Sequence, residues 1–116
     1  MKYVHLYAGP DGHSHFRDVD VDLSEPGRGS RVSKVLEATG LVFRSNTADY
    51  DLDWHEAPRR QFIINLTGEV EITTSDGEVR RFGPGSIMLA DDIGSKGHLS
   101  KAVGTEERIS LFVHVP

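Results

Sequence analysis

The chain contains no cysteine. That excludes disulfides and thiolate ligands, so any metal would be held by imidazole and oxygen. No apolar run approaches the roughly 18 residues of a membrane-spanning helix. The N-terminal M-K-Y-V-H-L-Y also lacks the uninterrupted apolar region of a signal peptide. A cytoplasmic protein with no membrane partner is expected. Basic residues are in the minority, with 13 Lys and Arg against 18 Asp and Glu and a net charge of −5. A phosphate backbone needs a concentrated basic face, so nucleic acid is not an expected partner. No internal repeat and no linker interrupt the 116 residues. They are enough to bury one core but not two, so residues 1–116 are expected to form a single domain.

What is present is a series of short runs of strand formers divided by Gly, Pro, Asp and Ser. Tyr3 to Tyr7 reads as an edge strand closed by the turn formers Ala8 to Gly12. From His13 to Leu23 the residues alternate, with His13, His15, Arg17, Val19 and Val21 on one face and Ser14, Phe16 and three Asp on the other. The acidic face reads as solvated, which points His15 inward and leaves Phe16 on the wrong side unless a bulge reverses the register. Ser24 to Ser30 is a loop by composition, and Arg31 to Ala38 is ambiguous between a helical turn and a strand. Leu41 to Phe43 begins another strand, and Asn46 to Asp53 reads as a polar loop. Val70 and Ile72 alternate with Glu69, Glu71 and Thr73 before the hairpin turn Ser75-Asp76-Gly77 and the returning strand Val79 to Phe82. Strands also follow at Ile87 to Ala90, from His98 onward, and around Ile109 to Val115. This pattern spells an all-β sandwich or small barrel.

The most informative stretch is Trp54 to Glu69, W-H-E-A-P-R-R-Q-F-I-I-N-L-T-G-E. Extended, it puts His55, Ala57, Arg59, Gln61, Ile63 and Asn65 on one side and Phe62, Ile64 and Leu66 on the other. Both sides of its second half are apolar, as in a strand covered on two faces with a polar site at its N-terminal end. A second stretch runs from the turn Phe82-Gly83-Pro84-Gly85-Ser86 through Ile87 to Ala90, then through the loop Asp91 to Gly97 to His98.

These two stretches resemble the two sequence motifs of the cupin superfamily, together covering about half the chain. The resemblance implies a cupin-like double-stranded β-helix, a jelly-roll barrel, with a pocket lined by His55, Gln61 and His98. The sequence departs from the usual motif at two places: Ala57 stands where a second ligand His is usual, and Gln61 where a ligand Glu is usual. The implied metal site is therefore His55, Gln61 and His98, completed by His15 or by a carboxylate from Asp91 or Asp92. One divalent ion (Zn, Fe, Mn or Ni) would be held weakly by a set whose amide oxygen is neutral. The other reading is a metal-free pocket in which His55 or His98 is a general base and Gln61 orients the substrate. If Asp91 or Asp92 takes part, its natural role is to orient His98.

Small cupins include lyases, isomerases, cyclases, dioxygenases and plain ligand binders. The reading adopted from the sequence is non-redox proton-transfer chemistry on a small organic acid or polar metabolite, the alternative being a non-catalytic binding or sensing module. Arg59 or Arg60 is the expected clamp for the anionic group, a surface salt bridge being the plainer reading of both. Trp54, Phe62 and Phe112 read as core, with Trp54 and Phe112 also suited to an aromatic substrate rim. His5, His13 and His114 receive no role. A homodimer through outer sheet faces or edge strands is expected, because a small β-sandwich has edges to protect.

Overall fold

The computed structural model describes all 116 residues as twelve strands and no helix. The strands are β1 Lys2–Ala8, β2 Ser14–Asp20, β3 Ser24–Gly27, β4 Ser30–Val32, β5 Gly40–Asn46, β6 Asp51–His55, β7 Gln61–Asn65, β8 Glu69–Thr74, β9 Val79–Phe82, β10 Ile87–Asp91, β11 His98–Val103 and β12 Arg108–His114. They form a six-stranded sheet in the order β2-β1-β10-β7-β12-β5, a four-stranded sheet in the order β6-β11-β8-β9, and the separate hairpin β3-β4. No helix is long and apolar enough to cross a membrane.

The core lies between the two large sheets. Leu6, Phe16, Met88 and Ala90 from the first pack with Val70, Ile72 and Phe82 from the second. The sheets do not merge, so the architecture is a sandwich and not a closed barrel. Strand β7 is central to the larger sheet, with Ile63 turned to the interior and Phe62 and Ile64 on the outer face. That placement uses its two apolar faces.

Several expectations are corrected. Tyr3 to Tyr7 is not an edge strand: β1 sits between β2 and β10, running parallel to β10 with Val4 opposite Met88. Leu6 on its inner face and His5 on its outer face are both buried, as an interior strand requires. In β2 the buried face is Ser14 and Phe16, not the His15 and Val19 face. Ser14 Oγ donates to the buried Gly97 carbonyl at 2.7 Å, and the Phe16 ring lies 5.9 Å from that of Phe82. The expected loop at Ser24 to Ser30 is a hairpin turning at Arg28 and Gly29, both at positive φ. Residues 33 to 39 are neither helix nor strand, and every residue from 24 to 39 is exposed. The polar segment after Asn46 is shorter than expected, because β6 begins at Asp51 and pairs with β11.

Candidate functional site

A cavity of about 210 Å³ opens between the sheets. The larger sheet contributes Gln61, Ile63 and Asn65 from β7, Met88 and Ala90 from β10, Arg108 and Phe112 from β12, and Arg44 from β5. The smaller sheet contributes His55, Val70, Ile72, His98 and Ser100. His55, Ala57, Gln61, Ile63 and Asn65 all line the cavity, but from two sheets. His55 ends β6 on the smaller one, Gln61, Ile63 and Asn65 alternate along β7 on the larger one, and Ala57 lies in the connection between the two strands; Ala57 and Gln61 are both buried.

His55 and His98 face each other across β6 and β11, register partners whose ring centroids are 4.3 Å apart. Each ring is anchored through Nδ1. His55 Nδ1–H donates to the Asp53 carbonyl at 2.7 Å, and His98 Nδ1–H donates to Asp92 Oδ2 at 2.6 Å. Asp92 is completely buried, and its other oxygen accepts the Ala57 N–H at 2.8 Å. Anchoring at Nδ1 fixes the tautomer with the lone pair on Nε2, which makes both rings hydrogen-bond acceptors, bases or metal ligands. Gly97 makes the close approach possible. Its φ is +81°, and a Cβ there would lie 2.6 Å from the His55 carbonyl carbon, so only glycine lets β11 enter at this distance from β6.

The anion clamp expected from Arg59 or Arg60 is not at this cavity. Residues 56 to 60 leave the strand conformation around Pro58, and both arginines are exposed. Arg59 contacts His114 Nδ1 at 3.2 Å, while Arg60 donates to the Pro116 carbonyl and lies 3.4 Å from Asp91. Trp54 is also outside. It precedes His55 in an extended strand, so it points to the opposite face of the sheet, where it is 49% exposed. Phe112 does line the cavity and is buried.

His15 cannot complete a metal site with His55 and His98, because it projects from the other face of β2. Its Nδ1 meets Asp76 and its Nε2 meets Asp11, each at 2.9 Å, and its ring stacks on Tyr7. The bond to Asp11 is the main cause that raises the His15 pKa, with Asp76 adding to it. The same contact is the main cause that lowers the Asp11 pKa. Burial pushes Asp76 upward, but bonds from Thr74, the Glu78 backbone and His15 outweigh it, and its pKa falls. Asp91 likewise serves the outer face, where it binds His5 Nε2 at 2.9 Å. Asp92 alone of the two orients His98.

Sequence reasoning missed the opposite end of the cavity. Arg108 is only 5% exposed, with Nη2 donating to Asn46 Oδ1 at 3.0 Å and its guanidinium carbon 5.2 Å from the Tyr50 ring centre. Burial lowers its pKa, and the neighbouring charge of Arg44 adds to the effect. The signal was present in β12, where Arg108 alternates with the inward Ser110 and Phe112.

No group of three or more His, Asp or Glu side chains is arranged to hold a metal ion. The donors that fit one are His55 Nε2, His98 Nε2 and the Gln61 amide oxygen, all neutral, with the imidazoles oriented from behind as metal-bound histidines are. Such a set suits a weakly held divalent ion. No family model matches the chain, and no curated protein matches it.

Proposed function

We propose that this chain is a cytoplasmic, cupin-like enzyme that moves a proton on a small organic acid within the cavity between its sheets. The observation that carries the reading is the buried Asp92–His98 pair beside His55. Asp92 holds the His98 proton on Nδ1, so His98 Nε2 can take a proton from a carbon or hydroxyl and return it, and the carboxylate stabilises the imidazolium formed in between. His55 Nε2 stands close enough to serve as the second acid–base group, and the Gln61 amide can hold a substrate carbonyl or enol oxygen. A divalent ion held by His55, His98 and Gln61 would supply Lewis-acid polarisation of a carbonyl.

Support for the cupin-like reading comes from how the two resembling stretches meet. The strands β7 and β10 are neighbours, with Gln61 opposite Ala90, while His55 pairs with His98 on the facing sheet. We also propose that the chain forms a homodimer through the outer face of its larger sheet. Two rows of apolar side chains cross that face: Phe43, Leu111, Ile64 and Ile87 in one, and Leu41, Val113, Phe62 and Leu89 in the next. Phe43 is 78% exposed on an edge strand, so a second copy related by a two-fold axis would cover both the rows and the edge.

The reaction is tested with a panel of 2-keto and 3-keto carboxylic acids in D₂O, followed by proton NMR. The wild type should exchange the C–H next to the carbonyl of at least one member, and His98→Gln should not. Binding of panel members with no exchange in any of them would replace the enzyme reading with that of a ligand-binding module.

A further inference from the structure

The chain is acidic overall, yet the charged side chains lining the cavity are Arg44 and Arg108, and no Asp or Glu is among the lining residues. Neither arginine forms an ion pair with any carboxylate of the protein. Arg108 is buried, and its Nε–H has no hydrogen-bond partner. Nearby, Asn65 and Ser110 are cross-strand partners, and Asn65 Oδ1 and Ser110 Oγ are likewise buried without a partner. Arg108 and Asn65 line the cavity and Ser110 does not. Buried polar atoms without partners are rare in folded proteins, and two of them on lining residues at one end of a cavity are groups that a ligand can meet. The Arg108 Nε–H is a donor, and it suits an anion. Asn65 Oδ1, the acceptor, is left for a hydroxyl.

This cationic end is far from the histidines. Gln61 and Asn65 are at opposite ends of β7, and four strand residues span about 13 Å. Between the two ends the wall is apolar, formed by Ile63, Val70, Ile72, Phe82, Met88 and Phe112. The volume of about 210 Å³ is below the roughly 300–1,000 Å³ of sites for drug-sized ligands.

We propose that the cavity takes a small monocarboxylate with an apolar body, its carboxylate held by Arg108 and Arg44 and its reacting carbon placed at His98 and His55. This deepens the proposed function and rests on its reading of the cavity as the ligand site. A guanidinium offers a planar fork that matches a carboxylate in two parallel bonds, and in a cavity free of acids it selects against cations and neutral analogues. Arg44, exposed at the mouth with its guanidinium carbon 4.8 Å from the Phe112 ring centre, guides the anion inward.

The test compares hexanoate, 1-hexanol and hexylammonium by calorimetry on the full chain. Hexanoate should bind, and the other two should bind about tenfold more weakly or worse, the loss expected when charge-assisted hydrogen bonds are missing. Arg108→Gln should abolish the preference for hexanoate. If that variant does not fold, Arg44→Gln, at an exposed position, should reduce the preference in a folded protein. His98→Gln should keep it. No binding of hexanoate, equal binding of hexanoate and 1-hexanol, or a preference lost in His98→Gln and kept in Arg108→Gln would each overturn the proposal. Hexanoate preference together with no deuterium exchange on the keto-acid panel would uphold the anion end while removing the proton-transfer reading. The two ideas therefore fail separately.

Discussion

Asp92 divides its two carboxylate oxygens between His98 Nδ1 and the Ala57 N–H, and it does so with no exposure to solvent. One buried side chain thereby sets the tautomer of the candidate base and fixes the turn that carries Ala57. Asp92→Ala leaves two buried donors without an acceptor, at a cost of about 1–3 kcal/mol each. Urea unfolding should show that loss. Asp92→Asn should be milder in stability but should move the His98 proton to Nε2 when the new amide N–H faces the ring. Nitrogen NMR of the imidazole reads the tautomer directly, and an unchanged Nδ1–H form would remove the orienting role assigned to Asp92.

Gly97→Ala tests the approach of β11 to β6. A Cβ at that position meets backbone atoms of His55, which cannot swing aside as a side chain could, and φ is in the left-handed region. A penalty of about 1–3 kcal/mol is expected, together with separation of the two histidine rings. A melting temperature equal to that of the wild type would show that the strands can part without cost.

The clasp of His15 with Asp11 and Asp76 ties the turn before β2 to the hairpin between β8 and β9, and it carries a pH signature. The pKa of His15 is raised, so its contribution is complete below the ordinary imidazole value and is lost as pH rises through the folded value. The carboxylates are lowered, so theirs is complete above the ordinary Asp value and is lost as pH falls through the folded ones. The clasp is therefore strongest from roughly pH 4 to 6.5. The stability difference between wild type and His15→Asn should be larger at pH 5.5 than at pH 8.5. Equal differences at the two values would mean that the charges contribute nothing.

Gln61→Glu changes one neutral donor into an anionic one at nearly constant size, in the cavity that His55 and His98 also line. Affinity for Zn(II) or Ni(II), measured by competition with a chelator, should rise by about tenfold or more. No change in a folded variant would mean that the three side chains do not converge on one ion.

Phe43→Asp places a charge at the exposed, edge-strand end of one apolar row. Light scattering at micromolar concentration should report a dimer for the wild type and a monomer for the variant. A monomeric wild type would refute the proposed assembly.

Part of the cavity wall was legible because strand alternation is local: Gln61, Ile63 and Asn65 follow from counting by two along β7, whereas His55 reaches the same cavity from the facing sheet. Counting failed at Arg59, where Pro58 breaks the strand; at Trp54 the alternation held, and it was the reading of this residue as core or pocket rim that failed. Phe16 was read as misplaced because the acidic residues beside it suggested a solvated face. Its ring is nevertheless in the core, since Asp18 and Asp20 belong to the far end of β2, where the strand becomes exposed. The cationic end was overlooked because a lone Arg at the start of a strand carries no motif. Its meaning depends on Asn46, Tyr50 and Asn65, which only the fold assembles around it. The parallel pairing of β1 with β10 left no local trace at all.

That pairing has a consequence for how the protein is made. Val4 cannot meet Met88 until all the residues between them have been made, and at about 5–20 residues per second the ribosome takes roughly 4 to 17 s to supply them. During that time the β1–β2 hairpin presents an unpaired strand edge bearing Leu6 and Tyr3, a template for wrong partners. Sheets closed by such distant contacts also fold slowly once complete, on the order of milliseconds to seconds. The edge of β1 is therefore open to mispairing until β10 arrives, and slowing translation between β2 and β10 should lower the soluble yield without altering any contact in the finished fold.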